Sequence, residues 1–166
     1  MNIFVVDLNP CEAAKSLCDK HVPKMIVESA QMMASALLAN GAPPETMPLT
    51  KKGTHYKGGY HRHPCTLWTG ETLSNFHWLA DHAWALCTEY RFRYGKDHAC
   101  EEPILDMLSM CSYWIPEGDR TPFAQAMPDE YRDRLVVVAY RRYYQAEKSG
   151  FAKWERGRSP PIWWSA

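Results

Sequence analysis

Between residues 19 and 39, Met25, Ile26, Ala30, Met33, Ala34, Leu37 and Leu38 recur at helical spacing, and this pattern narrows the possible folds more than any other in the chain. It predicts one long helix with a packed face, stopped by Asn40-Gly41. Pro23 fits such a helix only in its first turn, where few amides yet need partners, and Asp19 stands where a cap belongs. The same segment carries His21, Lys24 and Glu28 at offsets 0, 3 and 7. At about 100° per residue, those offsets bring an imidazole, an amine and a carboxylate onto one stripe. A packed helix is a good support for reacting groups that must stay in register. An ordinary exposed Lys–Glu pair beside a helix-end histidine would give the same letters.

The remaining chain reads as further helices. Residues 2–6 predict a short extended arm, too isolated to build a sheet. Asn9-Pro10-Cys11-Glu12 supplies a cap, a first-turn proline and a trailing acid, predicting a helix from about 10 to 18. From Gly41 to Pro64, prolines and glycines without apolar periodicity predict a long loop, of the kind that is functional or disordered. Order resumes at His63-Pro64-Cys65-Thr66-Leu67-Trp68. A helix is expected from Ser74 to Tyr94, with Phe76, Leu79, Ala80, Ala83, Leu86, Cys87 and Tyr90 inward. Others are expected from Glu101 to about Trp114 and from Asp129 to Lys148, the latter containing the β-branched run Val136-Val137-Val138. The expected fold is all-α: a single-domain bundle of about five helices over residues 1–166, with an N-terminal extended arm, a basic loop at 41–63 and an aromatic basic tail at 150–166.

A chain of 166 residues that is 46% hydrophobic has room for a real core. Its start shows neither a basic leader nor an apolar run long enough for a membrane span, so an intracellular, cytoplasmic protein without a membrane partner is expected. Six cysteines without a CxxC pair then read as free, buried thiols, with Cys87 and Cys111 on apolar helix faces. The formal charge is zero, which is not the overall basicity usual in a nucleic-acid binder. Distribution says more. Lys51, Lys52, Lys57 and Arg62 fall in an acid-free stretch interleaved with Tyr60, His63 and glycines, a composition suited to phosphates and unstacked bases. Lys153, Trp154, Arg156 and Arg158, with Glu155 among them, form a second basic and aromatic group in the tail. A solvated, mobile loop is the plainer alternative for the first. His61, His63 and Cys65 are closely spaced, but no second pair has the spacing of a zinc site, so neither metal nor cofactor is expected.

Asp19, His21, Val22 and Glu28, with Pro64, Leu67, Gly70 and Phe76 at the loop-to-helix junction, resemble the pyrimidine-dimer DNA glycosylases of the phage endonuclease V type. His63-Pro64 with Trp68 is similar to an element of their bacterial relatives, and the chain looks like a tailed-phage protein, which would place it in the host cytoplasm. The resemblance implies a helical fold that grips duplex DNA and flips a base. An amine nucleophile would then cut the glycosidic bond, and the strand would be cleaved through a Schiff base. Glu28 would stabilise the cationic sugar and assist proton transfers, and His21 would orient or polarise. The chemistry is sound, since an oxocarbenium-like sugar calls for a nearby carboxylate and a neutral amine can attack its anomeric carbon.

Residue 2 departs from the resemblance. The family uses the amine of a small second residue after methionine removal, whereas Asn2 is large enough to protect Met1. The amine is then that of Met1 or of Lys24, or the reaction has been lost. Val27 also replaces a basic residue preceding the glutamate. Two other readings stay open: transfer chemistry on a modified phage base with Glu28 as acid/base, and a non-catalytic DNA- or protein-binding accessory.

Overall fold

Asn9 starts the first helix as its residue type suggests: its side chain accepts from the amides of Cys11 and Glu12, with Pro10 at the first helical position. The computed structural model describes residues 1–165. Among these the fold is all-helical, with six α-helices, two short 3-10 turns and no strand. The helices are α1 (Pro10–Ser16), α2 (His21–Ala39), α3 (Pro64–Glu71), α4 (Leu73–Tyr94), α5 (Glu101–Trp114) and α6 (Val136–Lys148). The last tail residue, Ala166, lies outside the described residues. No helix among those described is long and apolar enough to cross a membrane.

Helix α4 is the scaffold, packed against α1, α2, α3 and α5, while α2 also meets α3 and α5. The face of α2 expected to be buried is buried, apart from the half-buried Leu38. The arm carries Ile3, Phe4, Val5 and Val6 into the core. It has no strand partner; instead Arg141 donates to the Val6 carbonyl at 2.8 Å, and Asn2 accepts from the amides of Ile3 and Phe4.

Four expectations about the helices are corrected by the structure. Helix α1 ends at Ser16 rather than 18, because Leu17 is extended and the Cys18 amide donates to the Tyr144 hydroxyl. Asp19 does not cap α2. Its carboxylate accepts from Arg93 at 3.0 Å and from the Glu155 amide at 2.7 Å, and Lys20 occupies the cap position without a side-chain bond. The last helix starts at Val136, not Asp129. Gln125 takes both the backbone donor and acceptor of Asp133, and the Asp133 side chain takes the Leu135 amide, leaving nothing there for a helical ladder. Finally, α3 is an additional helix, capped by His63 and separated from α4 by the extended Thr72, whose hydroxyl caps α4 at the Asn75 amide.

Residues 41–63 form an anchored loop. His55 Nδ1 bonds the Met47 carbonyl, the Tyr56 hydroxyl donates to Cys100 Sγ, and Ser35 Oγ both accepts from the Gly59 amide at 2.8 Å and donates to its carbonyl at 3.0 Å. Gly58 makes the last contact possible: its φ is +68°, and a Cβ there would lie 2.8 Å from the Ser35 nitrogen. Gly58→Ala is therefore expected to unseat the loop from α2 and cost about 1–3 kcal/mol in urea unfolding, with faster hydrogen exchange at the Gly59 amide. An unchanged midpoint and unchanged protection would refute this. All six cysteines are free; five are buried, but Cys11, expected inside, is exposed at the start of α1.

Candidate active site

Asn2 organises the site from the arm. Its Oδ1 turns the backbone by accepting from the amides of Ile3 at 2.8 Å and Phe4 at 3.1 Å, and its Nδ2 donates to the Ala126 carbonyl at 2.8 Å. So held, the Asn2 amide donates to Glu28 Oε2 at 2.9 Å, and the Met1 amine lies 3.7 Å from the same oxygen. Lys24 Nζ approaches the other oxygen, Oε1, at 3.7 Å. The carboxylate is only 12% exposed, so it sits in a wall of protein rather than on an open surface. The chain's first two nitrogens thus converge on one carboxylate oxygen.

The accessible part of Met1 is its main chain. Met1's side chain is buried, with Sδ accepting from Thr66 Oγ1 at 3.5 Å, yet the residue as a whole keeps intermediate exposure, so its accessible surface belongs to the main chain. Thr66 also lines a groove of about 300 Å³ between α2 and α3, together with Ser35, His61, Leu67 and Glu71.

His21 does not join Lys24 and Glu28 at this surface. It is buried beneath the arm, stacked on Phe4 with ring centroids 5.0 Å apart, and shares a 2.7 Å hydrogen bond through Nδ1 with the Tyr144 hydroxyl. Burial, seconded by Lys24, Lys148 and Lys20, pulls its pKa down to about 3, so it is neutral at physiological pH. Its place is to seat Phe4, whose φ of +39° turns the arm toward the core. The three lysines within electrostatic reach of it are Lys24 on α2, Lys20 with Nζ 4.6 Å from the Phe151 ring centroid, and Lys148 with Nζ 4.9 Å from that of Tyr143.

The basic residues singled out in the sequence have diverse surroundings. Lys51 and Lys52 are exposed on the turn closed by Thr50 and Thr54. Lys51 borders a groove of about 760 Å³ whose walls include the acids Asp97, Glu101, Glu102 and Asp106. Lys57, Tyr60 and Arg62 are exposed on the returning limb that rests on Ser35, and half-buried His63 follows them. In the tail, Trp154 is buried and donates to the Ser16 carbonyl, and Lys153 pairs with Glu155. Arg156 lies over Tyr94, and Arg158 donates to both oxygens of Glu89 at 2.6 and 3.0 Å. Trp154 and Arg158 are thereby committed to the protein itself. A tail bonded in this way straps the α1–α2 corner to α4.

Two site members escaped the sequence reading: Asn2 as a structural element and Thr66 as the seat of the Met1 side chain. His63-Pro64, a capping residue before a first-turn proline, was the legible trace of the helix that brings Thr66 there. Burial pushes the Cys65 thiol up to about 12, which removes it as a nucleophile. No group of three metal-ligating side chains occurs among the described residues.

Neither the curated proteins nor the solved structures yield a match. The family described as pyrimidine dimer DNA glycosylase does match, over residues 1–102, a span that holds the arm, Glu28 and helices α1 to α4. An all-helical chain whose N-terminal nitrogens meet a helix carboxylate, matched over more than half its length, belongs to the pyrimidine dimer DNA glycosylase family.

Proposed function

We propose that the protein is a DNA glycosylase with strand-cleaving lyase activity, in which the Met1 α-amine is the nucleophile and Glu28 the acid/base. The observation that carries this is the Met1 amine 3.7 Å from a mostly covered Glu28 carboxylate. In the first step the neutral amine attacks C1′ of an everted nucleotide as the C1′–base bond breaks, and the base leaves with the bond's electron pair. Glu28 offsets the positive charge on the sugar and takes the proton released by the amine. Ring opening leaves a Schiff base at C1′. Loss of a C2′ proton then expels the 3′ phosphate oxygen, breaking the strand. In this reading the everted base enters the α2–α3 groove, which meets the seat of the Met1 side chain at Thr66.

Met1 is favoured over Lys24 on chemical grounds. Lysine amines ordinarily titrate near 10.4 and α-amines near about 7.7–8.0, so far more of an α-amine is neutral at cellular pH. The Lys24 side chain is 59% exposed and reaches the carboxylate from the solvent side. The size of Asn2 and the burial of the Met1 side chain both favour retention of the initiator methionine. Intact mass is expected to include Met1. Borohydride trapping on abasic duplex, followed by peptide mapping, is expected to place the adduct on the Met1 nitrogen. An adduct on Lys24 would overturn the assignment, and no adduct on abasic or dimer-bearing duplex would overturn the lyase reading and favour base transfer.

Lys20, Lys24 and Lys148 are the phosphate contacts of this reading. Lys20→Ala with Lys148→Ala should lower the slope of log K against log salt on duplex DNA by about 0.9 per lysine, some two units together. A slope identical to the parent's would show that DNA lies elsewhere.

A further inference from the structure

We propose that His63 is a further catalytic residue, a fixed hydrogen-bond donor to a deoxyribose oxygen of the nucleotide attacked at Met1 and Glu28. The proposal rests on the amine–carboxylate reading above. His63 precedes α3, and its Nδ1 accepts from the Cys65 amide at 3.2 Å. A ring nitrogen that accepts from an amide carries no proton, so the proton of the neutral ring is on Nε2. The ring is held from both sides of the sequence, because its own amide also donates to the Tyr60 carbonyl at 2.8 Å and closes the turn that ends the loop.

Nε2 is left as a donor without a partner among the described residues. It is not among the buried unpartnered side-chain atoms, which among the described residues are His82 Nε2 and Glu101 Oε2, so it meets solvent. The turn of helix beginning at His63 adjoins the site, since Thr66 holds the Met1 thioether. Burial and the Met1 ammonium lower the pKa of His63, while Glu28 opposes them, so the same two groups that would act on C1′ are within electrostatic reach of this ring. A neutral imidazole with its proton on Nε2 cannot serve as a base there, which leaves proton abstraction to Glu28. It can donate to the sugar, to the ring oxygen as charge develops or to the C1′ hydroxyl of the carbinolamine as that group departs.

Asparagine and glutamine separate the two ring nitrogens. His63→Asn keeps an acceptor for the Cys65 amide and removes the donor; His63→Gln reaches the Nε2 position with an N–H and gives up the cap. Single-turnover borohydride trapping on abasic duplex is expected to slow about 10²-fold in His63→Asn, at an unchanged thermal midpoint. In His63→Gln the rate is expected to recover partly despite a lower midpoint. Long-range proton–nitrogen spectra of the unliganded protein near pH 7 should show His63 with its proton on Nε2. Trapping by His63→Asn at the parent's rate, or a proton on Nδ1, would overturn the proposal and leave the Met1–Glu28 reading intact. A parent protein that traps no abasic DNA would overturn both.

Discussion

Glu28→Gln is expected to reduce both trapping and strand cleavage by about 10³-fold or more while leaving duplex affinity within a few-fold of the parent. The glutamine carbonyl can still accept from the Asn2 amide, the 2.9 Å bond that seats the arm, so the backbone that presents the amine is preserved. What disappears is a negative charge 3.7 Å from the Met1 nitrogen and a group able to take its proton. General acid–base catalysis alone contributes about 10²–10⁴-fold, and lost stabilisation of a cationic sugar adds to it. Because the carboxylate is largely covered by protein, its field is less screened than that of a surface acid. Single-turnover cleavage of an abasic duplex, with far-UV dichroism to verify folding, measures the effect. Cleavage by the variant within ten-fold of the parent would remove Glu28 from the chemistry and leave a DNA-binding helical protein as the better description.

Arg93→Met should be the most damaging single change to the fold, costing about 3–5 kcal/mol in urea unfolding at pH 7. Arg93 has no exposed side-chain surface and donates to Glu89, to Asp19 and to the carbonyls of Leu17 and Lys15. It thereby joins α4 to the chain between α1 and α2, and through Asp19 and Glu89 to the tail, because Asp19 accepts from the Glu155 amide and Glu89 from Arg158. Methionine fills similar volume but leaves Asp19 without its cation and two carbonyls without donors, and each buried orphan is costly. A loss below about 1 kcal/mol would show that the carboxylates find other partners on removal of the guanidinium.

The same network makes the fold acid-sensitive. Burial pushes the Glu89 carboxyl up, but Arg158 and Arg93 outweigh it and hold the group below its ordinary 4.5. A carboxyl that binds its proton more weakly when folded favours the folded state wherever it is ionised. The contribution is complete above the ordinary glutamate range and is lost as pH falls through the lowered folded value. Stability is therefore expected to be level near neutrality and to decline below about pH 4.5, less steeply in Arg158→Met, where one of the two lowering charges is gone. Urea midpoints between pH 3 and 7 measure this, and parallel curves for parent and variant would refute it.

The helices that were legible in the sequence are those written in short-range terms. The apolar spacing of α2 and α4, the Asn9-Pro10 start, Asn40 and Gly95 at helix ends, and the acids opening α5 act over a few residues, and each appears where the letters place it. The stop of α1, the late start of α6 and the fate of Asp19 were not legible, because the groups that decide them are Tyr144, Gln125 and Arg93, brought in by packing.

For the site, the chain alone determined that Lys24 and Glu28 share a helical stripe and that Asn2 follows Met1. Only the tertiary structure set the Met1 amine beside a carboxylate, with Asn2 and Glu28 standing 26 positions apart, turned His21 inward onto Tyr144 and tied Arg158 to a glutamate 69 positions away. The physical reason is that a side chain's charge has no fixed use until burial decides its neighbours. Desolvation makes a buried carboxylate or guanidinium seek a partner wherever the core supplies one, and the order of residues along the chain carries no record of that choice.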